Sequence, residues 1–183
     1  MTNYKYILGL DPSGSFHEGN GTTGWCLFDA TTNEIIDRGN LDAENYEEME
    51  AYWDAHISLI RDKTILCDKN VIIVIEDYIL YAAKLDSQIN SRMETPKLIG
   101  ILQHYCWLAD IPYYMQLASE VKNRWTNEIL LHKKIIYKNR TKFYIDADCA
   151  VLINRHCIDA IRHAVHYNTF RNKKEGNKNV RKS

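Results

Sequence analysis

The sequence predicts an α/β fold, a mixed five-stranded sheet flanked by helices, and three observations lead there. Val71-Ile72-Ile73-Val74-Ile75 is an unbroken β-branched run, the composition of a strand buried on both faces. Tyr6-Ile7-Leu8-Gly9-Leu10 is a second largely apolar run near the N-terminus. Between and after them, extended segments alternate with segments whose apolar residues recur at helical spacing, a pattern that puts helices on both faces of a sheet.

Taken in order, the first strand is about Lys5–Leu10, followed by small polar residues from Pro12 to Thr23. Gly24–Asp29 reads as strand two. Thr31-Thr32-Asn33 is a turn too short for a crossover, so Glu34–Gly39 returns antiparallel as strand three. Asp42 to about Asp68 is predicted helical. Met49, Trp53, His56, Ile57 and Ile60 keep helical spacing, and Glu44, Glu47, Glu48 and Glu50 load the start, where the helix dipole favours acids. Strand four is Val71–Glu76. A polar linker, Tyr81–Arg92, leads to a helix opening at Thr95-Pro96, where proline suits the first position. Ile111–Met115 is strand five. Helices are predicted at Ala118 to about Leu131, Asp146–Asn154 and Cys157–Phe170, with Lys133–Lys142 as a basic connection.

A chain of 183 residues, 45% apolar and 26% charged, has the makings of one soluble domain with a real core. We expect it over residues 4–170, with 171–183 as a basic, disordered tail. No apolar run approaches the roughly 20 residues of a membrane span, and the first residues lack a secretory pattern. Five scattered cysteines without a CxxC pair point to reduced thiols and a cytoplasmic compartment. The net charge of −1 hides an asymmetry. Residues 1–119 carry 8 Lys/Arg against 18 Asp/Glu, whereas 120–183 carry 15 against 6. A basic final third with Trp125, Tyr137 and Tyr144 interleaved suits a phosphate backbone; a plain solvated surface is the alternative.

Both buried-type strands end in acids, Asp11 and Glu76-Asp77. A carboxylate there is costly unless its charge is compensated. Two such acids meeting at one sheet edge make a candidate site for Mg²⁺ or Mn²⁺, which prefer oxygen ligands. The last helix adds a third acid. His156, Asp159, His163 and His166 share one helical face, with Cys157, Ile158, Ile161, Ala164 and Val165 behind them. Such a face looks either out at solvent or across at the strand ends.

Five segments in order carry a resemblance: Ile7-Leu8-Gly9-Leu10-Asp11-Pro12-Ser13, Thr23-Gly24-Trp25, Ile73-Val74-Ile75-Glu76-Asp77-Tyr78, Ala118-Ser119-Glu120-Val121-Lys122, and His156-Cys157-Ile158-Asp159-Ala160-Ile161-Arg162-His163-Ala164. Over about Tyr4 to Tyr167 the chain resembles the RuvC-type Holliday junction resolvases of the ribonuclease H-like superfamily. The resemblance implies a ribonuclease H-like sheet and a structure-selective endonuclease acting on four-way junctions or other branched DNA. Asp11, Glu76 and Asp159 resemble the metal ligands. His156 occupies a place where the family has Asp or His. Lys122 resembles the lysine near the scissile phosphate, and Lys133 or Lys134 a second one. Two Mg²⁺ ions, replaceable by Mn²⁺, are implied. Ions about 3.5–4 Å apart would activate water on one side and neutralise the leaving oxygen on the other. Cutting a two-fold symmetric junction implies a homodimer, and Leu98, Ile101, Leu102, Tyr105 and Leu108 form a stripe suited either to that contact or to the sheet. Tyr78 and Tyr81 are candidates to stack on unpaired bases.

Two departures stand out. Phe16–Gly21 is inserted after Asp11, where His17 or Glu18 offers a DNA or metal contact, and Ser13 replaces a usual glycine. The compact form looks more like the phage resolvases, which would place it in a host cytoplasm. Four other readings compete: a nuclease for RNA–DNA hybrids, a phosphotransferase built on Asp11–Gly14 and Gly21–Gly24, a Zn²⁺ module using His156, Cys157, Asp159, His163 and His166, and a non-catalytic binder of DNA structures.

Overall fold

The computed structural model describes residues 3–79 and 92–172. Its main sheet has five strands in the order β3-β2-β1-β4-β5. These are β1 (Tyr6–Asp11), β2 (Thr22–Asp29), β3 (Glu34–Asp42), β4 (Val71–Asp77) and β5 (Tyr113–Leu117). The first three form an antiparallel meander, while β4 runs parallel to β1 and β5 parallel to β4. On one face lie α1 (Met49–Leu66) and α2 (Glu94–Leu108), and on the other α5 (Arg155–Phe170). The short helices α3 (Ala118–Lys122) and α4 (Asn127–His132) come between β5 and a small sheet of β6 (Tyr137–Asn139), β7 (Lys142–Tyr144) and β8 (Leu152–Ile153). Among the described residues no helix is long and apolar enough to cross a membrane.

The period of two along each strand sorts the core. Leu8, Leu10, Ile73 and Ile75 face α1 and α2, where Leu98, Leu102, Ile60 and Tyr52 meet them. Ile7, Ile72 and Val74 face α5, against Ile158, Ile161, Ala164 and Val165. Each of these side chains, fully buried, contributes roughly 1.5–3 kcal/mol. The same alternation sends Asp11 and Glu76 to the α5 face. Register then aligns them: Leu10 pairs with Ile75, so Asp11 and Glu76 follow side by side, and Glu76 pairs with Gln116.

Two glycines set how closely α5 approaches. A Cβ at Gly9 would overlap the carbonyl oxygen of Ala160, and one at Gly24 the carbonyl group of His156. The backbone of α5 therefore rests on the sheet at the point where its polar face meets the ends of the strands.

Several expectations change. The long helix begins at Met49, because β3 runs on to Asp42 and a single 3₁₀ turn (Ala43–Asn45) follows; Glu44 and Glu47 thus precede the helix. Strand five lies two residues later than expected. The helix expected over Ala118–Leu131 is broken in two, with Thr126 capping the second part by accepting a hydrogen bond from the Ile129 amide. Part of the basic connection forms the β6–β7 hairpin. Residues 146–154 are not helical: Asp146 accepts hydrogen bonds from the amides of Ala150 and Val151, closing a loop that ends in β8. Asn154 then caps α5 by accepting from the Cys157 amide. At the end of the chain, Asn172 exchanges hydrogen bonds with the backbone of Tyr4, and the rest of the expected tail lies outside the described residues.

Part of the stripe on α2 belongs to the core. Leu98 and Leu102 are fully buried against the sheet, so they are unavailable to a second copy; Leu108 is exposed.

A buried polar network fixes the chain just after Asp11. His56 donates through Nδ1 to the Tyr52 carbonyl (2.7 Å) and accepts at Nε2 from Thr23 Oγ1 (2.8 Å). Thr23 Oγ1 in turn accepts from the Ser13 amide at 3.0 Å, and Tyr52 Oη donates to the Ser13 carbonyl at 2.7 Å. Burial lowers the His56 pKa from 6.5 to about 4. The unfolded chain therefore takes a proton below about pH 6.5 that the folded chain refuses. Stability is full above that pH and falls as pH drops toward 4, by up to about 3 kcal/mol. Urea midpoints of wild type and His56→Gln between pH 7 and 4 check this: the substituted protein should start less stable and lose less on acidification.

Candidate active site

The ends of β1 and β4, α3 and the first two turns of α5 bring Asp11, Glu76, Lys122, His156 and Asp159 together. His156 Nδ1 lies 3.1 Å from Asp11 Oδ2. The Lys122 ammonium stands 3.2 Å from Glu76 and 3.2 Å from Asp159. Asp159 is 3% exposed, a placement that would cost several kcal/mol for an unpaired charge. It is paired with both Lys122 and Arg162, and Arg162 also donates to Asn127 Oδ1 at 2.7 Å. The three acids, His156 and Lys122 that sequence reading selected thus lie at one locus.

Electrostatics show how tightly the acids are held. The Asp11 carboxyl lies above its usual range: burial is the main cause, and the charges of Glu76 and Asp159 add to it, while the His156 hydrogen bond offsets part. Burial also pushes Glu76 up, but the hydrogen bond and charge of His163, followed by Lys122, outweigh it and leave Glu76 below its usual value. Burial pulls Lys122 down, yet Glu76, Asp159 and Asp11 together hold it above the ordinary lysine value. His156 is raised, first by its hydrogen bond to Asp11.

His163 is the residue that sequence reading undervalued. It is completely buried, and its Nε2 meets Glu76 Oε2 at 2.7 Å while Nδ1 meets Gln116 Oε1 at 2.8 Å. The chain Gln116–His163–Glu76 fixes the orientation of the carboxylate. The signal was present in the helical spacing of His156, Asp159 and His163, but which strand would lie opposite His163 depends on the β4–β5 register. His163 therefore counts among the residues that shape the site. His163→Ala should lower any activity of the site by on the order of 10²-fold, the scale expected when a group orienting a metal ligand is lost. His163→Gln should recover part of that. A His163→Ala enzyme as fast as wild type would refute the role.

The remaining candidates fall elsewhere. Tyr78 packs partly buried against the α1–α2 core, so it is a packed lid and not a free stacking platform. Tyr81 lies outside the described residues. Lys133 and Lys134 are exposed past the end of α4, with the Lys133 ammonium 5.8 Å from the Trp125 ring; neither pairs with the acids. His17 pairs with Glu94, whose carboxylate also accepts from the Phe16 amide at 2.7 Å. The inserted loop is thereby tied to the start of α2. The Zn²⁺ arrangement is not assembled: Cys157 Sγ points away, donating to the Gly39 carbonyl at 3.1 Å.

The donor set suits a hard divalent ion, since it offers three carboxylates and an imidazole. As placed, Lys122 separates Glu76 from Asp159, and among the described residues no three candidate ligands close around one point. A cation would compensate the Asp11 carboxylate, which burial and then Glu76 and Asp159 disfavour, and carboxylate oxygens are the donors such an ion takes, so the residues fit it.

No protein-family model matches the chain, and no curated protein matches it in sequence. Solved structures do match in fold. The RuvC of Thermus thermophilus in complex with a Holliday junction substrate aligns at a TM-score of 0.62 with 12% identity, over 92% of this chain and 98% of that one. A second Thermus thermophilus RuvC structure aligns at 0.59 with 9% identity, over 93% and 97%. The mixed sheet and its flanking helices are thus the RuvC-like, ribonuclease H-like fold.

Proposed function

We propose that this chain is a divalent-metal-dependent, structure-selective DNA endonuclease that acts as a homodimer on four-way junctions or related branched DNA. The observation that carries the reading is that Asp11 and Glu76, at the ends of parallel strands, meet Asp159 of α5 beside His156 and Lys122. The fold match to a protein bound to a Holliday junction supports it. The basic final third supplies the charge that attracts DNA.

Asp11, Glu76, Asp159 and His156 would hold Mg²⁺ or Mn²⁺, two ions per site in this reading. When bound, such ions lower the pKa of water and neutralise developing charge. The chain's own residues do the rest. Glu76 sits in the centre of the row formed with Asp11 and Gln116. His163 keeps Glu76 turned toward the site, and Arg162, itself held by Asn127, does the same for Asp159. Lys122, kept protonated by three acids, offsets charge on a phosphate oxygen in the transition state. His156, partly exposed beside Asp11, holds a proton at Nδ1 in the absence of a cation.

The experiment is incubation with labelled four-way junction, linear duplex and RNA–DNA hybrid in Mg²⁺. Preferential cutting of the junction is expected. Preference for the hybrid would show another ribonuclease H-like nuclease, and binding without cutting would show a DNA-structure-binding protein.

A further inference from the structure

A second polar site lies beyond the acids. Between α3 and the C-terminal half of α5 is an open cleft of about 430 Å³, flanked by Arg124 and Arg171. Among the described residues, neither guanidinium makes an ion pair or a side-chain hydrogen bond. Each instead lies over an aromatic ring: Arg124 is 5.0 Å from the Phe170 ring centre and Arg171 5.4 Å from that of Tyr114. Stacking of this kind positions the guanidinium while leaving its N–H fork free for a planar or tetrahedral anion.

His166 lines the same cleft. It is 93% buried, being only 7% exposed, and its Nδ1 has no hydrogen-bond partner. Burial, and next the charge of Arg124, hold His166 below its usual pKa. Ser119 and Asn123 complete the wall. One carboxylate, Glu120, also faces the cleft and opposes an anion.

The cleft adjoins the catalytic acids. Lys122 belongs to the same α3 as Ser119, and His166 is one turn along α5 from His163, which touches Glu76. We propose that this cleft binds a backbone phosphodiester of the bound DNA away from the scissile one, with Arg124 and Arg171 as its charged contacts and His166 in its inner wall. The proposal rests on the reading that the chain binds DNA. It adds a second fixed point on the DNA, which sets the register of the scissile phosphate over the acids.

Phosphate replacement tests it without relying on catalysis. Junctions carrying one neutral methylphosphonate at successive positions around the crossover are bound by full-length protein in EDTA. Wild type should lose about 5–10-fold in affinity at one or two positions away from the cut. Arg124→Ala/Arg171→Ala should bind the unmodified junction about 10-fold more weakly, become insensitive at those positions, and show a salt slope reduced by about one. Glu120→Gln should bind about twofold more tightly and keep the wild-type profile. Both arginines are exposed, so the pair is a mild change, and Glu120→Gln guards against a folding defect. Identical methylphosphonate profiles in wild type and the double variant would overturn the cleft assignment alone. Absence of any DNA binding by wild type would overturn it together with the nuclease reading.

Discussion

Asp11→Asn should abolish junction cleavage, a loss on the order of 10³-fold or more, and leave junction binding within about twofold of wild type. The carboxyl is raised by burial and by its two acidic neighbours, so its charge is held at a cost to the fold. Removing that charge while keeping the shape should therefore make the apo protein no less stable, and its Tm should rise by a few degrees. The combination is diagnostic. A mutation that merely damaged the fold would lower Tm and activity together. Cleavage and thermal melts of the same preparation check both halves, and wild-type cutting by Asp11→Asn would remove Asp11 from the chemistry.

Gly24→Ala should be the most disruptive conservative change in the sheet. A single methyl there has no space, because it would overlap the carbonyl group of His156 in α5. Backbone cannot swing aside as a long side chain can, so α5 must lift from β2 and carry His156 and Asp159 with it. A cost of about 3 kcal/mol or more is expected, with loss of cleavage even where the protein stays folded. Gly100→Ala is the control: nothing lies within 4 Å of a Cβ at that position, and it should be neutral or slightly stabilising. Equal urea midpoints for the two variants would contradict the close packing of α5 on β2.

Much of this site was legible in the sequence because the signals were local. The unbroken apolar run of β4 announced a central strand, and its terminal acid announced a placement that needs compensation. Asp11 followed from the same logic, and Asp159 and His156 from helical spacing. What stayed hidden depended on register and on long-range contacts. That Glu76 faces His163 and Gln116 follows from the β4–β5 pairing, which no local pattern encodes. The break between α3 and α4 was masked because Leu130 and Leu131 continue the apolar rhythm through a Thr126 cap. Residues 146–154 looked helical by composition, yet Asp146 spends its carboxylate on the amides of Ala150 and Val151 and closes a loop instead. The α2 stripe was ambiguous in principle, since apolar spacing is the same whether a helix faces its own sheet or a second copy.

The central claim is that the three acids form a metal-dependent site that cuts both strands of a junction. A supercoiled plasmid that extrudes a cruciform reads this directly, because paired cuts within one binding event give linear DNA and a single cut gives a nicked circle. With Mg²⁺, linear product is expected, cut symmetrically across the cruciform base, with ends that ligase can reseal because they carry 5′-phosphate and 3′-hydroxyl groups. EDTA should stop the reaction and Mn²⁺ should restore it. Linearisation that persists in EDTA, or cuts placed without regard to the cruciform, would contradict the account.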